Sequence, residues 1–350
     1  MRTIYWNFAD QKDKDRFPVN KITAPANTFE FFQSPNPEEF HVDVFVKNGW
    51  QNQKLRDVLE DRKSLLSFLV IKSDTIVYQY QKEEIDESTE LTSFSVSKSF
   101  LSVLYGIAYD QGLYQLGDPI TKYLPELNDQ EGFDRITIRH LLTHTSGIRF
   151  HESYISPINN DAAKFYYGKS VKKIISKLKI REEPGKSFQY QSANTQLLGL
   201  ILIRVTGMPI AEYLEKNVWS QIGAEYDAKW STYEKESIEK AFCCLTARAV
   251  DYAKFGRLIL KEGQWEGKQI VSSEWLREAT RQSHENGSLW KYQYHWLVGL
   301  KEYGDVMAQG LYDQFIYVMP EKEVVIVLFQ DFHRPRTNWP DIFRQIVDQL

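Results

Sequence analysis

The hydrophobic period of the chain changes twice, from strand-like to helical and back to strand-like. Residues 67–81, SFLVIKSDTIVYQYQ, contain two apolar runs around Ser73 and Asp74 and predict a hairpin. Residues 113 to about 230 are mostly helical in pattern, and strand-like runs return at 291–300, 313–320 and 324–331. Strands at both ends with helices between them predict an α+β fold. Its antiparallel sheet would be built from both chain ends, flanked by helices and interrupted by a mostly helical inserted region.

The same pattern divides the chain. Residues 1–55 are irregular and contain four prolines, so we predict an N-terminal extension packed on the body. Residues 56–350 form the predicted main domain, with its helical subregion at about 113–230. At 350 residues the chain is long for one compact unit but short for two full domains.

The amino-acid composition limits the kinds of partner that the chain can bind. The formal net charge of −4 and the pI near 6.0 provide no basic excess for gripping phosphates, so we expect a small-molecule substrate and no nucleic acid. No apolar run approaches the roughly 18 residues of a membrane span, and we expect a soluble chain. The sequence is equally compatible with a cytoplasmic protein and with one secreted or periplasmic after removal of an N-terminal signal. Composition does not specify an oligomeric state.

The two cysteines, Cys243 and Cys244, are adjacent. A strained vicinal disulfide and two buried small apolar side chains are the alternatives, and we favour the second. Neither a disulfide framework nor a zinc set follows from two adjacent cysteines, and we predict no metal or cofactor.

A serine and a lysine lie three residues apart where a strand-like run becomes an apolar helix, in SFSVSKSFLSVLYGIAYDQG (93–112). Residues three apart share a helix face, so Ser95 would lie beside the Lys98 amine as a nucleophile beside a base. The Ser-x-x-Lys pattern also occurs at Ser170/Lys173, Ser176/Lys179 and Ser237/Lys240. The first two of these belong to a predicted amphipathic helix with a solvated lysine face, and the third to a charged segment that we place at the surface. A capping serine with a solvent-seeking lysine is the alternative for Ser95 and Lys98.

Other chemistry has weaker support. His140 and His144 are four residues apart, as zinc ligands on a helix would be, but no glutamate follows His140 as the metalloprotease signature requires. We therefore favour a structural role for this pair. The nucleophile-elbow, dinucleotide-binding and phosphate-loop patterns are all absent from the sequence.

Five segments carry a family resemblance, in order: SVSK (95–98), ITIRHLLTHTSGI (136–148), PGKSFQYQSANTQLLGLILIRVTG (184–207), TARAVDYAKFGRLIL (246–260) and AQGLYDQFIYVMPEKEVVIVLF (308–329). Together they resemble the serine β-lactamase and penicillin-binding-protein superfamily. The resemblance is to the class C-like branch of this superfamily, which includes esterases. The residues of the segments are most similar to those of 6-aminohexanoate-dimer hydrolases. It implies a β-lactamase/transpeptidase-like fold.

The resemblance also assigns roles. Ser95 matches the acylated serine, Lys98 its lysine partner, and Tyr190 the tyrosine that moves protons. The backbone N–H groups of Ser95 and Leu311 would form the oxyanion hole. The substrate-binding residues implied are Ser192, Asn194, Gln309 and Gly310.

Two departures from the family pattern narrow the activity. Ser192 stands where the family commonly has asparagine, and Ala308-Gln309-Gly310 replaces Lys-Thr-Gly, so a substrate-binding cation is missing. We therefore predict a serine hydrolase that cleaves an ester or amide through an acyl-enzyme, with weak or no β-lactamase activity. A β-lactamase or D-Ala-type peptidase, in which Arg248 or His295 would supply the charge, is one alternative. A non-catalytic binding protein on the same fold is the other.

Overall fold

A computed structural model describes residues 9–47, 49–153, 160–331 and 337–350. The strands are β1 (Val19–Ile22), β2 (Phe32–Gln33), β3 (His41–Val46), β4 (Gly49–Lys54), β5 (Leu65–Lys72), β6 (Thr75–Gln81), β7 (Leu91–Thr92), β8 (Ala228–Ser231), β9 (Leu245–Ala247), β10 (Gln264–Trp265), β11 (Lys268–Gln269), β12 (Tyr292–Gln293), β13 (Trp296–Val298), β14 (Val306–Gly310), β15 (Gln314–Met319) and β16 (Val324–Gln330). The α-helices are α1 (Leu55–Glu60), α2 (Ser97–Asp110), α3 (Ile138–Leu142), α4 (Asp161–Tyr167), α5 (Val171–Ile175), α6 (Ser192–Thr206), α7 (Ile210–Leu214), α8 (Ala249–Leu260), α9 (Ser273–Thr280) and α10 (Trp339–Asp348).

The main sheet joins the two ends of the chain. Its strand order is β12-β13-β14-β15-β16-β5-β6-β2, so β16 lies directly beside β5, with Val325 opposite Ile71. All neighbours in this sheet are antiparallel except β2 and β6, which pair in parallel. The α+β architecture predicted from the change of period is confirmed.

The predicted hairpin of β5 and β6 is also confirmed. Ser73 and Asp74 form its turn with φ angles of 45° and 62°. A left-handed pair of this kind matches the twist of two antiparallel strands.

The sheet separates two apolar cores. Alternate residues of β5 point to opposite faces: Leu69 and Ile71 belong to a core shared with α2 and α8, and Phe68 and Val70 to a core shared with α10. Helix α8 packs closely on the sheet at Gly256, where a Cβ would lie 2.6 Å from the Val325 side chain. A sheet buried on both faces explains why the last strands read as nearly continuous apolar runs.

The described part of the N-terminal region contacts the body at several places. Strand β1 pairs with β8 in a second sheet, of order β1-β8-β9-β7, and β2 extends the main sheet. The β3–β4 hairpin contributes Val42 and Val44 to the core around α10. The domain boundary at residue 55 stays a prediction.

The helical insertion differs in one place from its sequence pattern. The apolar and lysine periodicity of residues 168–180 predicts a full amphipathic helix, but α5 has only five residues, 171–175. Helix α6, by contrast, runs for 15 residues and is capped by Gly207.

Among the described residues no single helix is long and apolar enough to cross a membrane. The bent pair Ser192–Thr206 and Ile210–Trp219 reaches the necessary length and apolar composition only when the two helices are taken together.

Candidate active site

The Ser95 hydroxyl lies at the entrance to helix α2. Strand β7 is followed by a single 3₁₀ turn, Phe94–Val96, and the helix begins at Ser97. The Ser97 hydroxyl donates to the Phe94 carbonyl oxygen at 2.8 Å and fixes this turn. The Ser95 side chain is thereby placed on the same face as Lys98, and 2.9 Å separates Ser95 Oγ from Lys98 Nζ. The contact predicted from the three-residue spacing is present.

The Lys98 amine is held in a nearly dry interior. Its residue is only 1% exposed, and Nζ also donates to the Phe242 carbonyl oxygen at 2.7 Å. Burial lowers the pKa of Lys98 to about 7, with the nearby negative charge of Glu152 opposing the shift. A substantial fraction of Lys98 is therefore neutral near pH 7 and able to accept a proton.

The Tyr190 ring covers Lys98, with Nζ 5.0 Å from the ring centroid. Tyr190 lies directly before Gln191, the N-cap of α6. Burial raises the pKa of the Tyr190 phenol well above its usual range, Glu152 raises it further, and the nearby Ser95 hydroxyl lowers it. Tyr190 is therefore a neutral proton donor at the pH where Lys98 is becoming a base.

Two buried histidines form a wall beside Tyr190. The backbone N–H of Gln191 points to His144 Nδ1 at 3.2 Å, so this nitrogen is the acceptor and the ring proton lies on Nε2. His144 Nε2 is 3.1 Å from His295 Nδ1 and 3.3 Å from the Tyr292 hydroxyl. Burial lowers the pKa of both rings, that of His295 to about 3. The wall is therefore polar but uncharged.

A pocket of about 330 Å³ opens above these groups, within the size range of small-molecule sites. Its described lining is largely apolar or aromatic and consists of Ser95, Phe188, Tyr190, Leu289, Tyr292, His295, Leu297, Gln309, Gly310 and Leu311. Neither Lys nor Arg belongs to this set.

Gly310 brings the end of β14 against the serine turn. A Cβ at this position would lie 2.4 Å from the Ser93 carbonyl oxygen, closer than real Cβ contacts come. Only glycine allows the two backbones to approach so closely. Leu311 follows immediately and lines the pocket together with Ser95.

The four predicted substrate-binding residues divide into two groups. Gln309 and Gly310 line the pocket. Ser192 and Asn194 are buried and do not belong to the pocket lining: Ser192 donates from its backbone N–H and its hydroxyl to Glu152, at 2.8 and 2.7 Å. Asn194 Oδ1 accepts from the Ser146 hydroxyl, at 2.6 Å, and Nδ2 lies 3.1 Å from His144 Nδ1. This arrangement favours a supporting role for Ser192 and Asn194, while their contact with substrate stays a prediction.

The position of the absent lysine is not part of this pocket surface. Ala308 is 1% exposed and packs in the core. The two residues considered as substitutes for its charge do not carry one into the pocket, because His295 is neutral and Arg248 lies 3.5 Å from Glu90, outside the pocket lining. The described pocket walls therefore have no cationic side chain for a substrate carboxylate.

The competing motifs occupy other environments. His140 Nδ1 accepts from the Thr137 N–H at 3.2 Å, which caps α3, whereas His144 belongs to the site. Among the described residues no group of three or more His, Cys, Asp or Glu side chains could hold a metal ion.

The prediction that Ser237 and Lys240 both lie at the surface is correct for Ser237, which is exposed, and wrong for Lys240. Lys240 is buried, with Nζ 3.5 Å from the Phe17 ring centroid.

Cys243 and Cys244 are joined by a disulfide, so the expectation of two free apolar thiols is wrong. Both residues are buried, and Cys244 adopts a left-handed backbone with φ of 73°. They directly follow Phe242, whose carbonyl oxygen accepts from Lys98. The turn that presents this carbonyl is therefore closed by a covalent bond.

Sequence reasoning did not find several members of the site. Glu152, Phe188, Tyr292 and the Phe242 carbonyl carry no motif of their own, and Phe242 is 144 residues from Lys98. The only available signal was position, since Phe188 lies inside the 184–207 segment of the family resemblance and Glu152 lies four residues after the 136–148 segment.

The chain is similar in sequence and in fold to several known proteins. The chain is 26% identical over 318 residues to the 6-aminohexanoate-dimer hydrolase of Paenarthrobacter ureafaciens, an alignment that covers 83% of this chain and 75% of the relative. A solved structure from Bacillus anthracis, provisionally described as a 6-aminohexanoate-dimer hydrolase, superposes with a TM-score of 0.85 at 23% identity, covering 99% and 93% of the two chains. A class C β-lactamase superposes with a TM-score of 0.64 at 16% identity, covering 85% and 94%.

The sequence profile of the Beta-lactamase family matches residues 52–348, which is most of the chain. The fold and the resemblance of the five segments indicate the same family. The chain therefore belongs to the Beta-lactamase family, within the superfamily of serine β-lactamases and penicillin-binding proteins, a group of hydrolases.

Proposed function

We propose that this protein is a serine hydrolase that cleaves an ester or amide through an acyl-enzyme on Ser95. One observation carries the proposal: Ser95 Oγ lies 2.9 Å from a buried lysine whose pKa is lowered to about 7. A hydroxyl is a poor nucleophile by itself and needs a base in hydrogen-bond reach. Lys98 meets the geometric and the electrostatic requirement for that base.

In the acylation step, neutral Lys98 accepts the Ser95 proton while Oγ attacks the substrate carbonyl carbon. The carbonyl oxygen becomes negative and is stabilised by the backbone N–H groups of Ser95 and Leu311. The close approach of Gly310 to Ser93 supports this pairing, because it brings the Leu311 backbone to the serine turn.

Tyr190 then delivers its proton to the leaving alcohol or amine and receives the proton that Lys98 took from Ser95, so that both side chains return to their neutral forms. Its raised pKa and its position beside Ser95 in the pocket lining support a donor that is neutral between turnovers. A water molecule attacks the acyl carbonyl in the second half of the cycle, with Lys98 and Tyr190 again moving protons, and releases the acid.

The pocket favours a small neutral substrate. Its apolar and aromatic side chains provide contact area, and its described walls lack a cation, so a carboxylate-bearing β-lactam or D-Ala peptide should bind less well than a neutral ester or amide. The relative named as a 6-aminohexanoate-dimer hydrolase supports a small substrate rather than a polymer. A non-catalytic binding protein fits the missing lysine but not the intact Ser95, Lys98 and Tyr190 group.

The direct test is intact-mass analysis after incubation with a fluorophosphonate probe. We expect one adduct on the wild-type protein and none on Ser95→Ala. Ser176→Ala is the matched control, because it removes an exposed serine from the same Ser-x-x-Lys pattern, and it should be labelled like wild type. A wild-type protein that takes up no probe and hydrolyses no ester or amide would favour the binding-protein alternative.

A further inference from the structure

A second cavity, which we call the basic groove, lies beside α4 and α5 and has a volume of about 970 Å³. Its described lining contains eight cationic residues and one carboxylate, Asp161; the cations are Arg149, Lys164, Lys169, Lys173, Lys177, Lys179, Arg181 and Lys235. The whole chain has a formal charge of −4, so this concentration of positive charge is a local exception. The basic groove and the Ser95 pocket have no described lining residue in common.

The cations of the basic groove come from separate parts of the chain. The Arg149 N–H donates to the Lys179 carbonyl oxygen at 2.7 Å, and the Lys235 N–H donates to the Lys169 carbonyl oxygen at 3.0 Å. These backbone bonds join the segment after α3, the segment around α5 and the turn after β8. The sequence pattern of residues 168–180 alone predicts that these lysines form the polar face of one helix. In the structure the groove is instead built from several segments of the chain.

Three of the eight cations have a carboxylate partner. Lys164 pairs with Asp161 at 2.8 Å, Lys169 with Glu234 at 3.0 Å and Arg181 with Glu182 at 2.5 Å. Among the described residues the other five have no ion pair within 4.0 Å; they are Arg149, Lys173, Lys177, Lys179 and Lys235. Like charges held near one another repel, and bound anions would remove that repulsion.

We propose that the basic groove binds a linear phosphate polymer without bases. Six of its eight cations are lysines, which act as mobile point charges and suit repeating phosphates better than a single planar carboxylate. Of the three ring-bearing residues in the described lining, Phe150 and Phe165 are 4% and 1% exposed and His151 alone is exposed, so the lining offers no row of rings on which successive nucleobases could stack. A concave site also fits a chain better than a flat lipid surface.

Binding of fluorescently labelled inorganic polyphosphate to the whole protein tests the proposal, measured by anisotropy over a series of salt concentrations. We expect Lys173→Glu/Lys235→Glu to weaken binding by at least about tenfold at low salt. The log–log salt slope should become shallower by about 0.7 for each lost contact. Lys172→Glu is the control for each single substitution: it is exposed on the same helix as Lys173, changes the net charge as much as Lys173→Glu or Lys235→Glu does alone, and does not line the groove.

Fold and specificity are checked in the same experiment. Neither Lys173 nor Lys235 belongs to the Ser95 pocket, so ester hydrolysis and the melting temperature should match wild type in both variants. If the glutamate variant unfolds, Lys173→Gln/Lys235→Gln takes its place with the same expected direction.

Three results would overturn the proposal. Wild type could fail to bind polyphosphate even at low salt, or Lys172→Glu could lose as much affinity as the double variant, which would indicate net charge rather than the groove. Alternatively, an oligo-dT or poly-glutamate of equal charge could bind more tightly and resist displacement by polyphosphate, which would assign the groove to another class of partner. None of these results depends on whether Ser95 is a nucleophile.

Discussion

The pairs Ser95/Lys98 and Ser170/Lys173 have the same spacing but opposite surroundings. Lys98 is 1% exposed and its Nζ contacts Ser95 Oγ, whereas Lys173 is exposed and lines the basic groove. Ser170 caps α5 by accepting from the Lys173 backbone N–H at 3.3 Å, and its hydroxyl bonds to Glu236. Desolvation, not the motif, lowers the pKa of one lysine and makes it a base.

The largest expected effect is loss of the nucleophile. Ser95→Ala should lower kcat for short p-nitrophenyl esters by about 10³- to 10⁶-fold, the range seen when a covalent enzyme loses its serine. Ser170→Ala removes the same hydroxyl from the second pair and should keep the wild-type rate, although it loses a helix cap. Steady-state kinetics on both variants tests this prediction. An unchanged rate in Ser95→Ala would contradict the proposal that Ser95 is the nucleophile.

Tyr190→Phe tests the proposed proton donor. The change removes one hydroxyl and little volume, so kcat should fall by about 10²- to 10⁴-fold with a smaller change in KM. Circular dichroism should show an unchanged fold. An unaffected kcat would assign all the proton transfers to Lys98.

The uncharged pocket should also discriminate between substrates. Wild type should hydrolyse neutral esters or amides better than the cephalosporin nitrocefin, by about tenfold to a hundredfold, because a charge-assisted contact of roughly 1.5 to 3 kcal/mol is missing. Rates for both substrates are measured on one preparation. Faster cleavage of nitrocefin than of every ester and amide tested would contradict the argument from Ala308.

The smallest effect is on pH dependence. The pKa of Lys98 is lowered from 10.5 to about 7, so the amine is charged and inactive below that pH and neutral above it. We expect kcat/KM to rise about tenfold between pH 6 and pH 8 and then level off. Lys173→Ala should leave this profile unchanged. A profile that is flat over this range, or that rises only near pH 10, would mean that Lys98 is not the base.

Much of the fold could be read from the sequence. The β5–β6 hairpin, the helices of the inserted region and the final strands follow local periodicity and turn residues, and the structure has all of them. Helix α5 ends at Ile175, earlier than its apolar and lysine pattern predicts. Beyond that residue the chain turns, and the Lys179 carbonyl oxygen accepts from the Arg149 N–H. Local periodicity did not indicate that tertiary pairing.

The sequence by itself predicted that Ser95 and Lys98 lie side by side, because residues three apart in a helical segment are neighbours, and the structure has this contact although Ser95 lies in the 3₁₀ turn just before α2. Only the tertiary structure decided what that contact can do. The Phe242 carbonyl, the ring of Tyr190 and the His144–His295 wall come from distant segments, and they exclude water from Lys98. The same holds for the basic groove, where Lys235 and Arg149 join the α5 lysines only after folding. Electrostatic free energy depends on the three-dimensional surroundings of a charge, which local sequence patterns do not specify.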